Sequence, residues 1–395
     1  MELLELIGRD APLFEDDLDR FEISICEIIK NSRFLVIGGA GSIGQAVTRE
    51  IFSRNPAALH IVDLSENNLA ELVRDIRSTL GYIKGDFKTM AIDCGGHVFN
   101  AFLNNNLNYD FILNLSAMKH VRSERDPFTL MRMIEVNILN TITTLEQAKQ
   151  QNVKKYFCVS TDKATNPVNM MGASKRIMEM FLMRDSQSIS ISTARFANVA
   201  FSDGSLLHSF KQRFEKKQPI AAPNDILRYF MTPAEAGQLC LLSCLLGENR
   251  DVFFPKVSEQ LGLTSFQKIA ERFLTSKGYE PRLCETETEA RASAKALISK
   301  NLWPCVFAAS NTTGEKAFEE FHTDQDVLDL DRFDDIGVVK PELEYHPELL
   351  ELFLADIKKL REGSAYTRKT MVDIFQRLVP NFKHREMNQH LDDKM

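Results

Sequence analysis

The sequence predicts an α/β protein built on a doubly wound parallel sheet, with a smaller C-terminal lobe. Three observations carry that prediction. From Arg33 to about Phe196, short apolar β-branched runs alternate with amphipathic stretches. Their spacing is that of strand, helix, strand, which calls for right-handed crossovers and a parallel sheet. After Asn198 the rhythm gives way to an irregular stretch, broken by Pro219, Pro223, Pro233 and Pro255, that continues to Ile336.

The expected strands are Phe34–Gly38, Leu59–Asp63, Lys88–Asp93, Phe111–Leu115, Lys155–Ser160 and Ile189–Thr193. Helical periodicity covers Ile43–Phe52, Leu69–Leu80, Leu130–Gln150 and Gly172–Met183. These elements divide the chain into an N-terminal helical segment (1–32), a nucleotide-binding sheet domain (33–197), a lobe (198–340) and a C-terminal helical extension (341–395). In the extension Leu350, Phe353, Ile357 and Leu360 recur at helical spacing, and the last dozen residues are polar and expected to be unstructured.

Composition narrows the function. At about 150 residues per domain, 395 residues suit two or three domains, or one large domain with an added lobe. With 44% hydrophobic and 26% charged residues the chain is of ordinary globular type. A net charge of −7 argues against a general binder of nucleic acid, while leaving room for a local phosphate pocket. No apolar run reaches the roughly 18 residues of a membrane span, and the first residues are acidic where a signal peptide is basic. A cytoplasmic location without membrane insertion is therefore expected. The seven cysteines are scattered, and Cys240 and Cys244 share one apolar helical stretch, as packed thiols of a reducing compartment do. Their spacing offers no zinc site, and no metal is expected.

The chemistry begins at Gly38-Gly-Ala-Gly41-Ser-Ile-Gly44, which follows the first strand and opens a helix. Glycines 38, 41 and 44 have the spacing in which the first allows a tight turn, the second lets backbone approach a pyrophosphate, and the third lets helix pack on strand. The helix N-terminus adds unpaired N–H groups for the anion. Alone the motif is weak, but Asp63 ends the second strand 19 residues after Gly44, where a carboxylate grips the ribose hydroxyls. That carboxylate would repel a 2′-phosphate, so the expected cofactor is NAD on a Rossmann-type sheet. Asp93, at the end of the third strand, is expected to face the adenine.

The fifth strand ends in Thr161-Asp162-Lys163, at the carboxyl edge where the nicotinamide would lie. Short-chain dehydrogenases carry Tyr-x-x-x-Lys on the following helix, with both side chains on one face. Here the lysine is Lys175 and the tyrosine position is Met171, which cannot carry a proton. Either the chain is an inactive relative, or the proton chemistry has moved to Thr161, Asp162 and Lys163.

Several blocks carry a resemblance: the glycine loop, Asp63-Leu-Ser-Glu-Asn-Asn-Leu69, Leu115-Ser-Ala-Met-Lys119-His120-Val, Ser160-Thr-Asp-Lys-Ala, Met171-Gly-Ala-Ser-Lys175, Arg195-Phe-Ala-Asn198-Val, Arg228-Tyr-Phe-Met-Thr232 and Asn311–Lys316. Their order across 33–340 resembles the extended short-chain dehydrogenase/reductase superfamily. Within it the chain is similar to the bacterial UDP-N-acetylglucosamine 4,6-dehydratases of polysaccharide biosynthesis, a subgroup of which shares the methionine.

The resemblance implies a redox-neutral reaction. NAD+ takes hydride from C4 of the hexose, water is lost across C5 and C6, and hydride returns to C6. Lys163 suits the C5 base, Asp162 the acid for O6, and Thr161 a hydrogen bond to the C4 oxygen; Lys175 holds the nicotinamide ribose. Which group takes the C4 hydroxyl proton stays open, with Asp162, directly or through Thr161, the expected receiver. The implied cofactor contacts are Gly38, Gly41, Ser42, Ile43, Gly44 and Asp63, with Asp93, Cys94, Leu115, Ala117 and Lys175 along the cleft. Those implied for the UDP-N-acetylhexosamine substrate are Lys119, His120, Met171, Asn198 and Arg228. A homo-oligomer is expected, through the apolar faces of Leu130–Gln150 and Gly172–Met183, although the same faces could serve the chain's own core. The competing readings are a UDP-hexose 4-epimerase, in which tyrosine would be expected at 171, and a non-catalytic dinucleotide-binding protein.

Overall fold

A computed structural model of the chain describes residues 2–105, 108–257, 261–310, 320–342, 345–363 and 367–384. Asn311–Lys316 and the polar C-terminal residues lie outside the described residues.

Six strands of the first half are β1 (Arg33–Ile37), β2 (Ala58–Asp63), β3 (Asp86–Ala91), β4 (Phe111–Asn114), β5 (Lys155–Thr161) and β6 (Ile191–Phe196). The second half supplies β7 (Asn198–Val199), β8 (Ile220–Pro223), β9 (Leu227–Met231), β10 (Val252–Pro255), β11 (Leu263–Ser265), β12 (Glu280–Leu283), β13 (Leu302–Ala308), β14 (Leu328–Asp329) and β15 (Ile336–Val339). One nine-stranded sheet runs β14-β15-β10-β6-β5-β4-β1-β2-β3. It is parallel from β3 through β10, and β15 and β14 close the far edge antiparallel. The central strands are continuous apolar runs buried on both faces, as a helix-covered parallel sheet demands. Strand order reverses between β1 and β4, so the crevice outside their carboxyl ends is the natural ligand site.

Four expectations are corrected. β3 runs Asp86–Ala91, not Lys88–Asp93, because its pairing with β2 sets Ala58 opposite Asp86 and Asp63 opposite Ala91. Asp93 therefore lies in the loop beyond. β6 runs from Ile191 on to Phe196, since it pairs with β5 from Tyr156 to Thr161, and this carries Arg195 into the sheet. Leu130–Gln150 is not one uniform helix. It comprises Pro127–Ile134 and Asn140–Gln150 joined by a π turn at Glu135–Leu139. Finally, 198–340 does not stay in the lobe. β10 and β15 bury all their residues and rejoin the large sheet, while β7, β9 and β11 form one three-stranded lobe sheet and β8, β12 and β13 another. The intervening helix Pro233–Leu246 lies against the glycine-loop helix Ser42–Ser53. Gly237 permits the approach, because a Cβ there would stand 2.7 Å from that of Ala46.

Both ends of the chain are fastened to this body. Arg9 donates to both oxygens of Glu235, and Asp17 accepts the N–H groups of Asp334 and Asp335 at 2.7 and 2.9 Å. The C-terminal helices Pro347–Glu362 and Arg368–Leu378 cover the apolar faces of Pro127–Ile134 and Met170–Asp185. Those faces thus serve the chain's own core, the second of the two uses foreseen for them. All seven cysteines are free thiols, and Cys240 and Cys244 are buried on one helix. No helix among the described residues is long and apolar enough to cross a membrane.

Candidate functional site

The glycine loop leaves the carboxyl end of β1 at the switch point. Gly38 takes φ +74°, donates its N–H to the Val62 carbonyl at 2.7 Å, and would place a Cβ 2.7 Å from the Ser116 nitrogen. Gly44 is equally constrained, since a Cβ would drive into the Gly38 carbonyl. Gly41 differs. A Cβ there would meet only the Gly38 oxygen at 3.6 Å, so the chain's own packing does not demand glycine. The space beside Gly41 lies at the start of a twelve-residue helix whose N-cap offers no capping side chain. Open space next to unsatisfied N–H groups fits a pyrophosphate.

Asp63 braces this loop, its two oxygens accepting the N–H groups of Ala40 at 3.0 Å and Ser65 at 2.9 Å. Ser42 is turned outward, and its Oγ accepts the Asp203 N–H at 2.9 Å. Ile43 packs partly against the main core, and Leu115 donates its N–H to the Ile37 carbonyl at the mouth of the crevice. Ala117 is exposed. Asp93 holds the Gly95 N–H at 2.9 Å and pairs with Arg132 at 3.3 Å; beside it Cys94 is buried, which pushes its thiol pKa up.

At the end of β5, Thr161, Asp162 and Lys163 form one hydrogen-bonded group. Oδ1 of Asp162 accepts from the Thr161 hydroxyl at 2.8 Å and from Nζ of Lys163 at 3.0 Å. Asp162 is buried, while Thr161 and Lys163 remain partly open. A carboxylate holding one hydroxyl and one amine on a single oxygen can pass protons between them without solvent.

The helix Met170–Asp185 closes over that turn, with the Asn169 side chain capping the Gly172 N–H at 2.8 Å. Lys175 is buried, donates to the Val159 carbonyl at 3.0 Å, and has its ammonium pKa lowered by burial. An ammonium carries three donors. Lys175 also donates to Met178 Sδ at 3.5 Å, and the third donor fits a ribose hydroxyl. Met171, one turn earlier, packs into the apolar cluster with Met131 and Ile134.

The substrate candidates fall in two places. Lys119 and His120 follow β4 and meet the loop Ala200–Ser205. Nζ of Lys119 donates to Ser202 Oγ at 3.4 Å, and the His120 ring lies where a Cβ on Gly204 would fall, 2.9 Å from Nε2. Desolvation, with Lys119 and Arg122 nearby, lowers the imidazole pKa of His120. The same loop donates to Ser42, so it links these residues to the glycine loop. Asn198 and Arg228 lie on β7 and β9 of the lobe. Asn198 donates to the Tyr229 carbonyl at 3.5 Å, and Arg228 is buried with NH1 on the Leu227 carbonyl at 2.8 Å.

Two supporting groups are centred on residues outside the motifs, Glu179 and Asn137. Ser160 donates at 2.6 Å to Glu179, which is bound at 3.0 and 2.8 Å by the buried guanidinium of Arg195; Arg195 also holds the Phe321 carbonyl at 2.8 Å. Burial alone would raise the Glu179 carboxyl pKa, but Arg195, Arg176 and Ser160 pull it down to about 2. The π turn presents Asn137, whose side chain bonds Met118 N–H and carbonyl at 2.8 and 3.0 Å and Ser174 Oγ at 2.9 Å. An asparagine set between apolar neighbours in Val136-Asn137-Ile138-Leu139 is the signal that could have found it.

The switch-point glycine loop, the Thr161–Lys163 group and Lys175 on the following helix define an extended short-chain dehydrogenase/reductase. Residues 34–341 match the polysaccharide biosynthesis protein family, and the chain belongs to that family. It is 31% identical over 273 residues to the capsular polysaccharide biosynthesis protein CapD of Staphylococcus aureus, a match covering 68% of this chain and 44% of CapD. The chain thus spans less than half the length of that relative. It is 28% identical over 330 residues to an uncharacterised membrane protein of Methanocaldococcus jannaschii, covering 80% of this chain and 88% of that one. Its fold is shared with the X-ray structure of Pen from Bacillus thuringiensis, with a TM-score of 0.65 at 21% identity over 81% of this chain and 90% of Pen.

Proposed function

We propose that the chain is an NAD-dependent 4,6-dehydratase that converts UDP-N-acetylglucosamine to a UDP-4-keto-6-deoxy-N-acetylhexosamine in a reducing cytoplasm. The observation that carries this reading is the sharing of Asp162 Oδ1 by Thr161 and Lys163, next to a methionine where a tyrosine would otherwise carry the proton. Membership of the polysaccharide biosynthesis family supports a nucleotide-sugar substrate.

The glycine loop, Asp63 and Lys175 would hold the dinucleotide, with Asp93, Cys94, Leu115 and Ala117 along its cleft. When bound, that cofactor supplies reversible hydride transfer, accepting from C4 and donating to C6. The chain's own residues then balance the protons. Thr161 takes the C4 hydroxyl proton as it passes its own to Asp162. Lys163, acting as the base, removes the C5 proton while Asp162 protonates O6, and water leaves. Lys163 finally returns its proton to C5. Asp162 and Lys163 end as they began, and the sugar has lost one water.

Incubation with UDP-N-acetylglucosamine in D2O should give a product lighter by one water, deuterated at C5, without net NADH. Isomerisation without that loss would instead establish a 4-epimerase, and unchanged sugar nucleotide would sink both readings. Arg228, with Asn198, is assigned to the diphosphate, where a charged fork suits phosphate oxygens. Arg228→Ala should raise KM by about tenfold or more with a smaller change in kcat, as loss of uniform binding does. An unchanged KM would remove Arg228 from the substrate site.

A further inference from the structure

The C-terminal helices lie beyond residue 341, where the family match ends, yet they pack into the apolar cluster that contains Met171. The segment after Arg368–Leu378 continues across the same apolar cluster that contains Met171, and Phe382 is buried within it. The Phe382 ring stands 5.8 Å from that of His384, and Nε2 of His384 lies 3.5 Å from Oε2 of Glu124. The two side chains are 9% and 1% exposed. Glu124 belongs to the single turn Val121–Glu124 that follows Lys119 and His120. The same Oε2 accepts, at 2.7 Å, the N–H of Met170, the first residue of the helix that carries Met171 and Lys175.

A helix's first N–H groups have no partner within the helix, and its N-terminal dipole favours a carboxylate. Asn169 serves the Gly172 N–H, and Glu124 serves that of Met170. Oε1 of Glu124 and Nε2 of His384 are buried without a hydrogen-bond partner among the described residues, so packing of the tail holds the pair together. Loss of His384 would leave a buried carboxylate beside a void at the start of the helix.

We propose that the C-terminal segment is a built-in positioning element of the active site: His384 fixes the Glu124 carboxylate, and Glu124 fixes the start of the helix that carries Met171 and Lys175. Both act through Met170, as positioning residues. Only the activity readout rests on the dehydratase reading.

The test uses the full chain with His384→Ala, Glu124→Gln and His384→Gln. It measures hydrogen–deuterium exchange, steady-state kinetics with UDP-N-acetylglucosamine and chemical denaturation. In His384→Ala and Glu124→Gln, exchange at the Met170–Gly172 amides should rise about tenfold and kcat should fall about tenfold, the size of one lost buried hydrogen bond or contact to a charged group. KM of His384→Ala should hardly move, its denaturation midpoint should fall only by the equivalent of that one contact, and His384→Gln, which refills the space beside the carboxylate, should recover both losses. Unchanged exchange at these amides in both variants would overturn the proposal, whatever the reaction. So would loss of protection spread through the whole sheet. Raised local exchange in a protein that does not turn over this sugar would uphold the positioning role and reject the dehydratase assignment instead.

Discussion

Lys163→Ala is expected to abolish solvent exchange at C5 and to lower kcat by about 10²–10⁴-fold, the range a positioned general base supplies. Cofactor binding should survive, because Lys163 reaches Asp162 and none of the glycine-loop contacts. Two measurements check this: deuterium incorporation at C5 by NMR, and titration with NAD. The proton cycle predicts a further asymmetry. Without Lys163, the first half of the cycle remains available through Thr161 and Asp162. The variant should then accumulate bound NADH on mixing with the sugar nucleotide, visible as absorbance, without releasing dehydrated product. Near-normal turnover would mean that another residue takes the C5 proton.

Glu179→Gln carries the largest expected effect on stability. It leaves the Arg195 guanidinium buried with its charge uncompensated, and breaking a buried pair from one side costs about 3–5 kcal/mol. Chemical denaturation of the two proteins reads this directly, and a loss below about 1 kcal/mol, the worth of an exposed pair, would show the pair to be solvent-screened. The pH dependence follows from the depressed carboxyl. Its folded-state value of about 2 lies below the ordinary 4.5, so the contribution is complete above about 4.5 and is lost as pH falls through about 2. The wild type should therefore lose stability over that window, and Glu179→Gln should lose less.

Local pattern disclosed the nucleotide-binding half of the fold. Apolar β-branched runs and a glycine loop are dictated by short-range sterics and by burial on two faces, both visible within a few residues. β3 slipped by two residues because register is set by the neighbouring strand, which no local pattern contains. The π turn was hidden for a related reason: Asn137 is called into it by Met118 and Ser174, distant in sequence. The Thr161–Lys163 group was legible since its three members are adjacent. The pairing of Glu179 with Arg195 was not, because each is an ordinary charged residue until β6 and the helix Met170–Asp185 bring them together. The return of β10, β14 and β15 to the large sheet depends on pairings across long stretches of chain, and the proline-broken rhythm concealed it.

That return bears on how the cleft can open. The backbone leaves the sheet after β6, comes back for Pro233–Leu246 and β10, departs for β11 to β13, and comes back again for β14 and β15. A lobe joined by one strand could swing about a single hinge. This one is moored by several crossings and by the Arg9–Glu235 clamp, a connectivity that favours small sliding displacements of packed elements over a hinge. Admission of the proposed sugar nucleotide would then fall to the loops between the crossings, above all Ala200–Ser205, where Phe201 holds a left-handed backbone and Ser42 anchors the far side. Exchange of substrate specificity between relatives would accordingly require transplanting several discontinuous segments as a set.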